Sequence, residues 1–180
     1  MKWDQLCDDP ALENIPYRVE LARHGQLVMS PHRSYHSIFQ SRIIRHLNQL
    51  LPGGEAMPEC PVATEGGTVV ADVAWASPTK VKRNFDLASW AESPEIIVEV
   101  LSPSNAGEEM RHKRNAVFAR GALEFWVCDR QGNLEFFGPR GHLAKSRLCP
   151  QFPSRIRDAA RAPLVAADVK RRTPRRGAPG

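Results

Sequence analysis

The sequence predicts an α/β or α+β fold, a central sheet flanked by few helices, on three observations. Short runs that alternate or are wholly apolar recur at residues 17–22, 26–30, 68–76, 94–101, 123–129 and 134–137. Only two stretches, around 35–51 and 106–120, carry apolar residues at helical spacing. Turn signals such as Pro52-Gly-Gly54, Glu65-Gly-Gly67 and Arg130-Gln-Gly-Asn133 separate them. The order that results is strand, strand, helix, strand, strand, strand, helix, strand, strand.

Taken in order, residues 1–16 are mixed polar with Pro10 and Pro16, and predict an irregular lead-in with room for one short helix. Tyr17-Arg-Val-Glu-Leu-Ala22 and Gln26-Leu-Val-Met-Ser30 flank Arg23-His-Gly25 and predict a β-hairpin. Apolar residues at 35, 39, 43, 47, 50 and 51 predict an amphipathic helix that starts near Ser34 and ends at Pro52-Gly-Gly54. Its polar face carries Arg42, Arg45 and His46. A strand is expected around 60–64, and Thr68-Val-Val-Ala-Asp-Val-Ala-Trp-Ala76 is a strong one. Ser77-Pro78 reads as its stop, and 79–85, with Lys80, Lys82 and Arg83, as a basic exposed loop. A helical turn is expected over 86–91. Pro94-Glu-Ile-Ile-Val-Glu-Val-Leu-Ser-Pro-Ser104 is a strand buried on both faces. Glu108 and Glu109 open the second helix, as the helix dipole prefers, and Gly121 closes it. A final hairpin runs from Leu123 to Phe137.

One domain is the natural count for 180 residues. It is expected to span 17–152, after the 1–16 lead-in, with a basic tail at 153–180 whose end, 171–180, reads as disordered. No apolar run approaches the ~20 residues that a membrane helix needs. The acidic N-terminus lacks an apolar signal segment, so the expectation is a cytoplasmic protein. Cys7, Cys60, Cys128 and Cys149 are scattered, which argues against a zinc site or a disulfide framework. The net charge of +5 belongs to the tail: residues 140–180 hold eleven Lys/Arg against two Asp/Glu, and residues 1–139 fourteen against eighteen. An acidic body that binds a polyanion needs metal ions or local basic patches to do so.

Two strands each bury one acid in an apolar frame: Asp72 in Val-Val-Ala-Asp-Val-Ala-Trp and Glu99 in Ile-Ile-Val-Glu-Val-Leu. An ionised carboxylate so placed costs several kcal/mol, of order ~2–5, unless something positive compensates it. One such acid is ordinarily a salt-bridged core residue; two on neighbouring strands point to a site. Paired carboxylates suit Mg²⁺ or Mn²⁺, hard cations that prefer oxygen ligands and keep several waters. Met110, Lys113 and Val117 follow i, i+3, i+7 spacing, which puts Lys113 on or near the inward stripe of its helix. Spacing alone leaves it equally able to snorkel to solvent or to pair with Glu109. Glu20 is a fourth acid of lower weight. His32 and His36 bracket the start of the first helix, where a histidine is more often a cap or surface residue than a ligand.

The series Tyr17…Glu20-Leu21…Gly25-Gln-Leu-Val-Met-Ser-Pro31, the His36 helix, Ala71-Asp72-Val-Ala, Val98-Glu99-Val-Leu-Ser-Pro-Ser104, Lys113 and Gly121-Ala-Leu-Glu-Phe-Trp-Val-Cys-Asp129 resembles the Uma2 family of restriction-endonuclease-like proteins. The resemblance covers 17–137 in order and spacing. It implies a restriction-endonuclease-like, PD-(D/E)xK fold, with a mixed central sheet between helices and a metal-dependent phosphodiesterase site. It implies Asp72 and Glu99 as acids that bind Mg²⁺ or Mn²⁺, the Val100 carbonyl as a further ligand, and Glu20 as the N-terminal acid. Ala71 stands where the motif has proline and Leu101 where it has lysine; Lys113, on the next helix, is then the migrated lysine.

The leading expectation is therefore an endonuclease acting on DNA, with Glu20, Asp72, Glu99 and Lys113 as its catalytic set and a homodimer as a plausible assembly, since two strands need two sites. A nuclease-fold module that binds nucleic acid or regulates a partner without cutting it also fits Leu101 and the acidic body. A hydrolase of a small phosphorylated molecule is a third alternative.

Overall fold

The computed structural model describes residues 2–12, 18–22, 25–30, 34–102 and 107–156. Tyr17, Arg23, His24, Pro31, His32, Ser104, Ala106 and the tail from residue 157 onward, each part of a sequence expectation, lie outside the described residues.

The lead-in contains helix α1 (Trp3–Cys7) and a 3-10 turn at Pro10–Leu12. It is tied to the body by the Trp3 indole, which donates to the Ala88 carbonyl at 3.0 Å, and by the buried Leu6. Strands β1 (Arg18–Leu21) and β2 (Leu27–Ser30) form the expected antiparallel hairpin. Helix α2 (Ser34–Leu50) buries His36, Phe39, Ile43 and Leu47, one stripe at 3–4 residue spacing. Strands β3 (Glu55–Thr64) and β4 (Gly67–Ala76) then pair over their whole length, so β3 begins earlier than the expected start near Cys60.

The basic loop expected over 79–85 is instead helix α3 (Pro78–Asn84). Ser77 holds the extended N-cap conformation and Pro78 the first helical position, where a missing N–H costs nothing because that donor has no helical partner. The Ser-Pro pair starts a helix here as well as ending a strand. Lys80 is not a free surface cation: its ammonium donates to the carbonyls of Ser93 at 2.6 Å and Gly121 at 3.2 Å. No helical turn forms over 86–91; Trp90 instead bridges to Val62 of β3.

All five residues of β5 (Ile96–Val100) are buried, as its run of branched apolar residues requires. Helix α4 (Gly107–Ala119) crosses over to the parallel strand β6 (Glu124–Cys128) and ends at Gly121, whose φ of 91° is open to glycine. Strands β7 (Leu134–Gly138) and β8 (Gly141–Leu143) complete the sheet. Past 152, the Ile156 amide donates to the Gly132 carbonyl at 2.8 Å and its side chain is buried, so these residues belong to the folded body.

The strands form one mixed sheet of order β2-β1-β4-β5-β6-β7-β8, with β3 on the remaining edge of β4. On one face, Phe39, Ile43 and Leu47 of α2 pack on Val73, Ile96, Val98, Val100 and Trp126. On the other, Met110 and Val117 of α4 pack with Ala74, Ile97, Phe125 and Trp90. Each fully buried Val, Leu, Ile or Phe contributes about 1.5–3 kcal/mol, so these two layers hold the helices in place.

Candidate active site

The sheet order creates a fork. Because β3 occupies one edge of β4 along its full length, β1 and β5 must share the other edge. β1 pairs near the start of β4, at Leu21 with Thr68, and β5 near its end, from Val73–Val98 to Trp75–Ile96. Residues 69–72 lie between these two pairings, and the Val70 amide and carbonyl bond to side chains there.

Val70 shows the substitution directly. Its amide donates to Glu20 Oε1 at 3.3 Å, and its carbonyl accepts from the Lys113 ammonium at 2.8 Å. Pro61, opposite Val70 on β3, has no N–H, and its carbonyl faces outward to the Trp90 amide at 2.8 Å. Lys113 also donates to Glu20 Oε1 at 2.8 Å and to Glu99 Oε2 at 3.0 Å. These three bonds match the three hydrogens of an ammonium. The side chains of Lys113 and Glu99 are 8% and 1% exposed, and that of Glu20 20%, so Glu20 is the outermost member. The inward reading of Lys113 therefore holds, and pairing with Glu109 is not its arrangement.

Asp72 occupies the inner end of the fork. Continued register would set it opposite Glu99, but the backbone ladder stops one pair earlier. Asp72 Oδ2 instead accepts the Val100 amide at 2.6 Å. An extended residue sends its N–H and C=O toward the same edge, so the Val100 carbonyl is aimed into the fork as well. Glu99 and Leu101 alternate onto the α4 face, where Leu101 packs half-buried against the core. A lysine at 101 would share that face with Glu99; Lys113 reaches the same carboxylate from the helix above.

His36, set aside in the sequence as a cap or surface residue, is buried, with Nε2 at 3.1 Å from Asp72 Oδ2. Its place on the stripe with Phe39, Ile43 and Leu47 was the available signal. Gln40, one turn on, donates to the Asp72 carbonyl at 3.0 Å and to Glu59 Oε1 at 2.6 Å. A cavity of about 770 Å³ adjoins the outer end of the fork, lined by Glu20, Thr68, Val69 and Lys113 among others. Arg114 lies over the Phe137 ring, 4.5 Å from its centroid, away from this cluster.

Lys113 thus holds two acids, Glu20 and Glu99, while the third, Asp72, is held separately by His36 and the Val100 amide, all in a largely buried setting. Among the described residues no three His, Cys, Asp or Glu side chains form a ligand cluster. Mg²⁺ is ordinarily held by one or two carboxylates and waters rather than by such a cluster. The Asp72 and Glu99 carboxylates and the Val100 carbonyl are oxygen donors of the kind that suits a hard divalent cation.

A family profile described as "Uma2: Putative restriction endonuclease" matches residues 3–157. The fold is similar to that in the crystal structure of "a putative nuclease belonging to DUF820" from Anabaena variabilis ATCC 29413, with a TM-score of 0.64 and 17% identity, covering 78% of this chain and 80% of that one. No curated protein matches the sequence. Among the described residues, no helix is long and apolar enough to cross a membrane.

Proposed function

Because the chain belongs to the Uma2 family, a family of restriction-endonuclease description, we propose that it is an endonuclease that hydrolyses DNA phosphodiester bonds with Mg²⁺ or Mn²⁺. The observation that carries this reading is the fork itself, where Glu20 and Glu99 meet one ammonium and Asp72 stands at the inner end, between the pairings of β4 with β1 and with β5.

In this reading Asp72, Glu99 and the Val100 carbonyl hold the cation. When bound, such an ion lowers the pKa of a water and offsets charge on the phosphate under attack. The protein's own residues prepare the rest. The Val100 amide and His36 fix the Asp72 carboxylate. Lys113 fixes Glu99 and lowers the cost of burying it. To orient a water, the ammonium must release one of its three bonds, and the bond to Glu20, the most exposed partner, is the one it can exchange. Glu20, once released, is a carboxylate at the mouth of the cavity that can accept a proton or support a second ion.

Purified protein incubated with supercoiled plasmid and Mn²⁺ should nick it, and Asp72→Ala and Glu99→Ala should each abolish the cutting. Equal cutting by all three proteins would identify a contaminant and remove the assignment.

One observation favours a second reading, a nuclease-fold module that binds nucleic acid or regulates a partner without hydrolysis. The ammonium is saturated by internal partners and Leu101 packs into the core at the motif's lysine position. Binding that needs no metal, weakens steeply with salt and is unchanged in Asp72→Asn would select it.

A further inference from the structure

Asp72 sits where β4 loses its regularity. Val73 packs on the α2 face, while Ala71 and Ala74 both pack on the α4 face, although 71 and 74 are an odd number of residues apart. The usual two-residue alternation is therefore broken at Asp72. Across the hairpin, register pairs Pro58 with Val73 and Cys60 with Ala71, which sets Glu59 opposite Asp72. Glu59 has a φ of 48°, the one non-glycine residue in the left-handed region among those described. Both strands are irregular at the same rung, so sheet geometry does not fix the direction of the Asp72 side chain.

We propose that His36, supported by Gln40, is a positioning residue for Asp72. This rests on the reading of Asp72 as a metal ligand. The two α2 residues, four apart, hold both ends of the aspartate: His36 Nε2 bonds the carboxylate, and Gln40 bonds the main-chain carbonyl while anchoring Glu59 across the irregular rung. An ionised carboxylate only accepts, so His36 presents an Nε2–H to Oδ2. Oδ2 is then held by two donors, His36 and the Val100 amide, which sets the orientation of the whole carboxylate. α2 is itself locked by Phe39, Ile43 and Leu47 in the core, so the orientation is passed from packing to the site. Outer partners that fix a ligand in this way are typically worth about 10–100-fold in metal affinity.

The test compares full-length wild type with His36→Ala, His36→Gln and Asp72→Asn. Gln at 36 can carry an amide donor to the position of Nε2. Two quantities are read: Mn²⁺ affinity by electron paramagnetic resonance titration, and the metal-free Val100 amide resonance and its hydrogen exchange by NMR. His36→Ala should weaken Mn²⁺ binding about tenfold, shift the Val100 amide and speed its exchange; His36→Gln should restore both. If His36→Ala leaves both readings at wild-type values, the proposal is overturned. It is equally overturned if His36→Gln melts like wild type yet behaves as His36→Ala does. Should His36→Ala not fold, His36→Asn replaces it, with a shorter amide that falls short of Oδ2; wild-type readings from that variant also refute the proposal. If Asp72→Asn binds Mn²⁺ as wild type does, the metal-ligand reading fails by itself, and the Val100 amide still decides whether His36 positions the aspartate.

Discussion

Lys113 and Glu20 stand 93 positions apart in the chain and meet at 2.8 Å across the fork in the sheet. The same ammonium holds the fully buried Glu99, so the helix after β5 and the first hairpin are joined through a single charged atom.

That joint should dominate the energetics of the site. Lys113→Met leaves Glu99 buried without its ammonium and should cost about 3–5 kcal/mol in urea unfolding. Replacing both partners, as Lys113→Met with Glu99→Gln, should recover most of the loss. A double variant no more stable than Lys113→Met would show that the pair is not the source of the cost.

Gly67 should be as sensitive for a different reason. It opens β4 at a φ of 124°, and a Cβ there would run into the Leu21 carbonyl of β1. Gly67→Ala should lower stability by about 1–3 kcal/mol through strain and overpacking, and should displace β1. The Glu20–Lys113 bond should weaken with it, visible as a change in the Lys113 side-chain NMR signal.

Glu124 is a third strand acid that is wholly buried, and it is structural. One oxygen accepts the Trp126 indole N–H at 2.8 Å; the other accepts the amides of Arg147 and Leu148 at 2.6 and 2.9 Å. Glu124→Leu should cost at least about 2 kcal/mol, because three donors lose their acceptor. Trp126 fluorescence should report the change, while Glu124→Gln should retain part of the stability.

These residues show what the sequence could and could not reveal. Asp72 and Glu99 stood out because an apolar strand run makes a charge conspicuous, and Lys113 because it shares helical spacing with Met110 and Val117. Glu124 stood in an equally apolar run but drew no notice, since two of its partners lie in the turn at 147–148, more than twenty residues on. Without tertiary contacts, an acid bonded to main-chain amides and one that can hold a cation look alike. His36 was passed over because its position near a helix start suggested capping, although it lies on the buried stripe with Phe39. Ser77-Pro78 was legible as a strand end, but the same two residues also serve as N-cap and first turn of α3.

The pH response should include His46. Burial first, and then the Arg45 charge, lower its pKa below the usual histidine value of 6.5, and its ring meets Phe152 edge-on at 5.8 Å. The folded state thus favours the neutral ring. Its contribution is complete above the unfolded value of 6.5 and is lost as pH falls through the lowered folded value. Thermal melts should therefore show a larger drop below pH 6.5 for wild type than for His46→Phe.

Thiol chemistry should be confined to one residue. Burial pushes Cys60 up to about 12, and burial with the nearby Asp129 and Asp72 charges pushes Cys128 up to about 12; Cys149 is also buried and raised, and Cys7, raised by partial burial and the Asp8 and Asp4 charges, differs in being exposed. In native protein a disulfide reagent should label Cys7 first, with the other three reacting only on unfolding. Rapid labelling of Cys60 would contradict the described packing.

The seam between β1 and β4 has a kinetic consequence. Among the described residues a single rung, Leu21 with Thr68, joins the two strands by backbone register, and the Glu20 side chain is the main polar staple beside it. The hairpin is thus held to the sheet far more loosely than β3, which is zipped along nine rungs. Partial detachment of a weakly tethered unit requires only a fraction of the global unfolding free energy. Hydrogen exchange should then find β1 and β2 opening well before the rest of the sheet, and each opening uncovers Lys113. Each lift of this small flap widens the access that the cavity beside Glu20 already gives to Lys113.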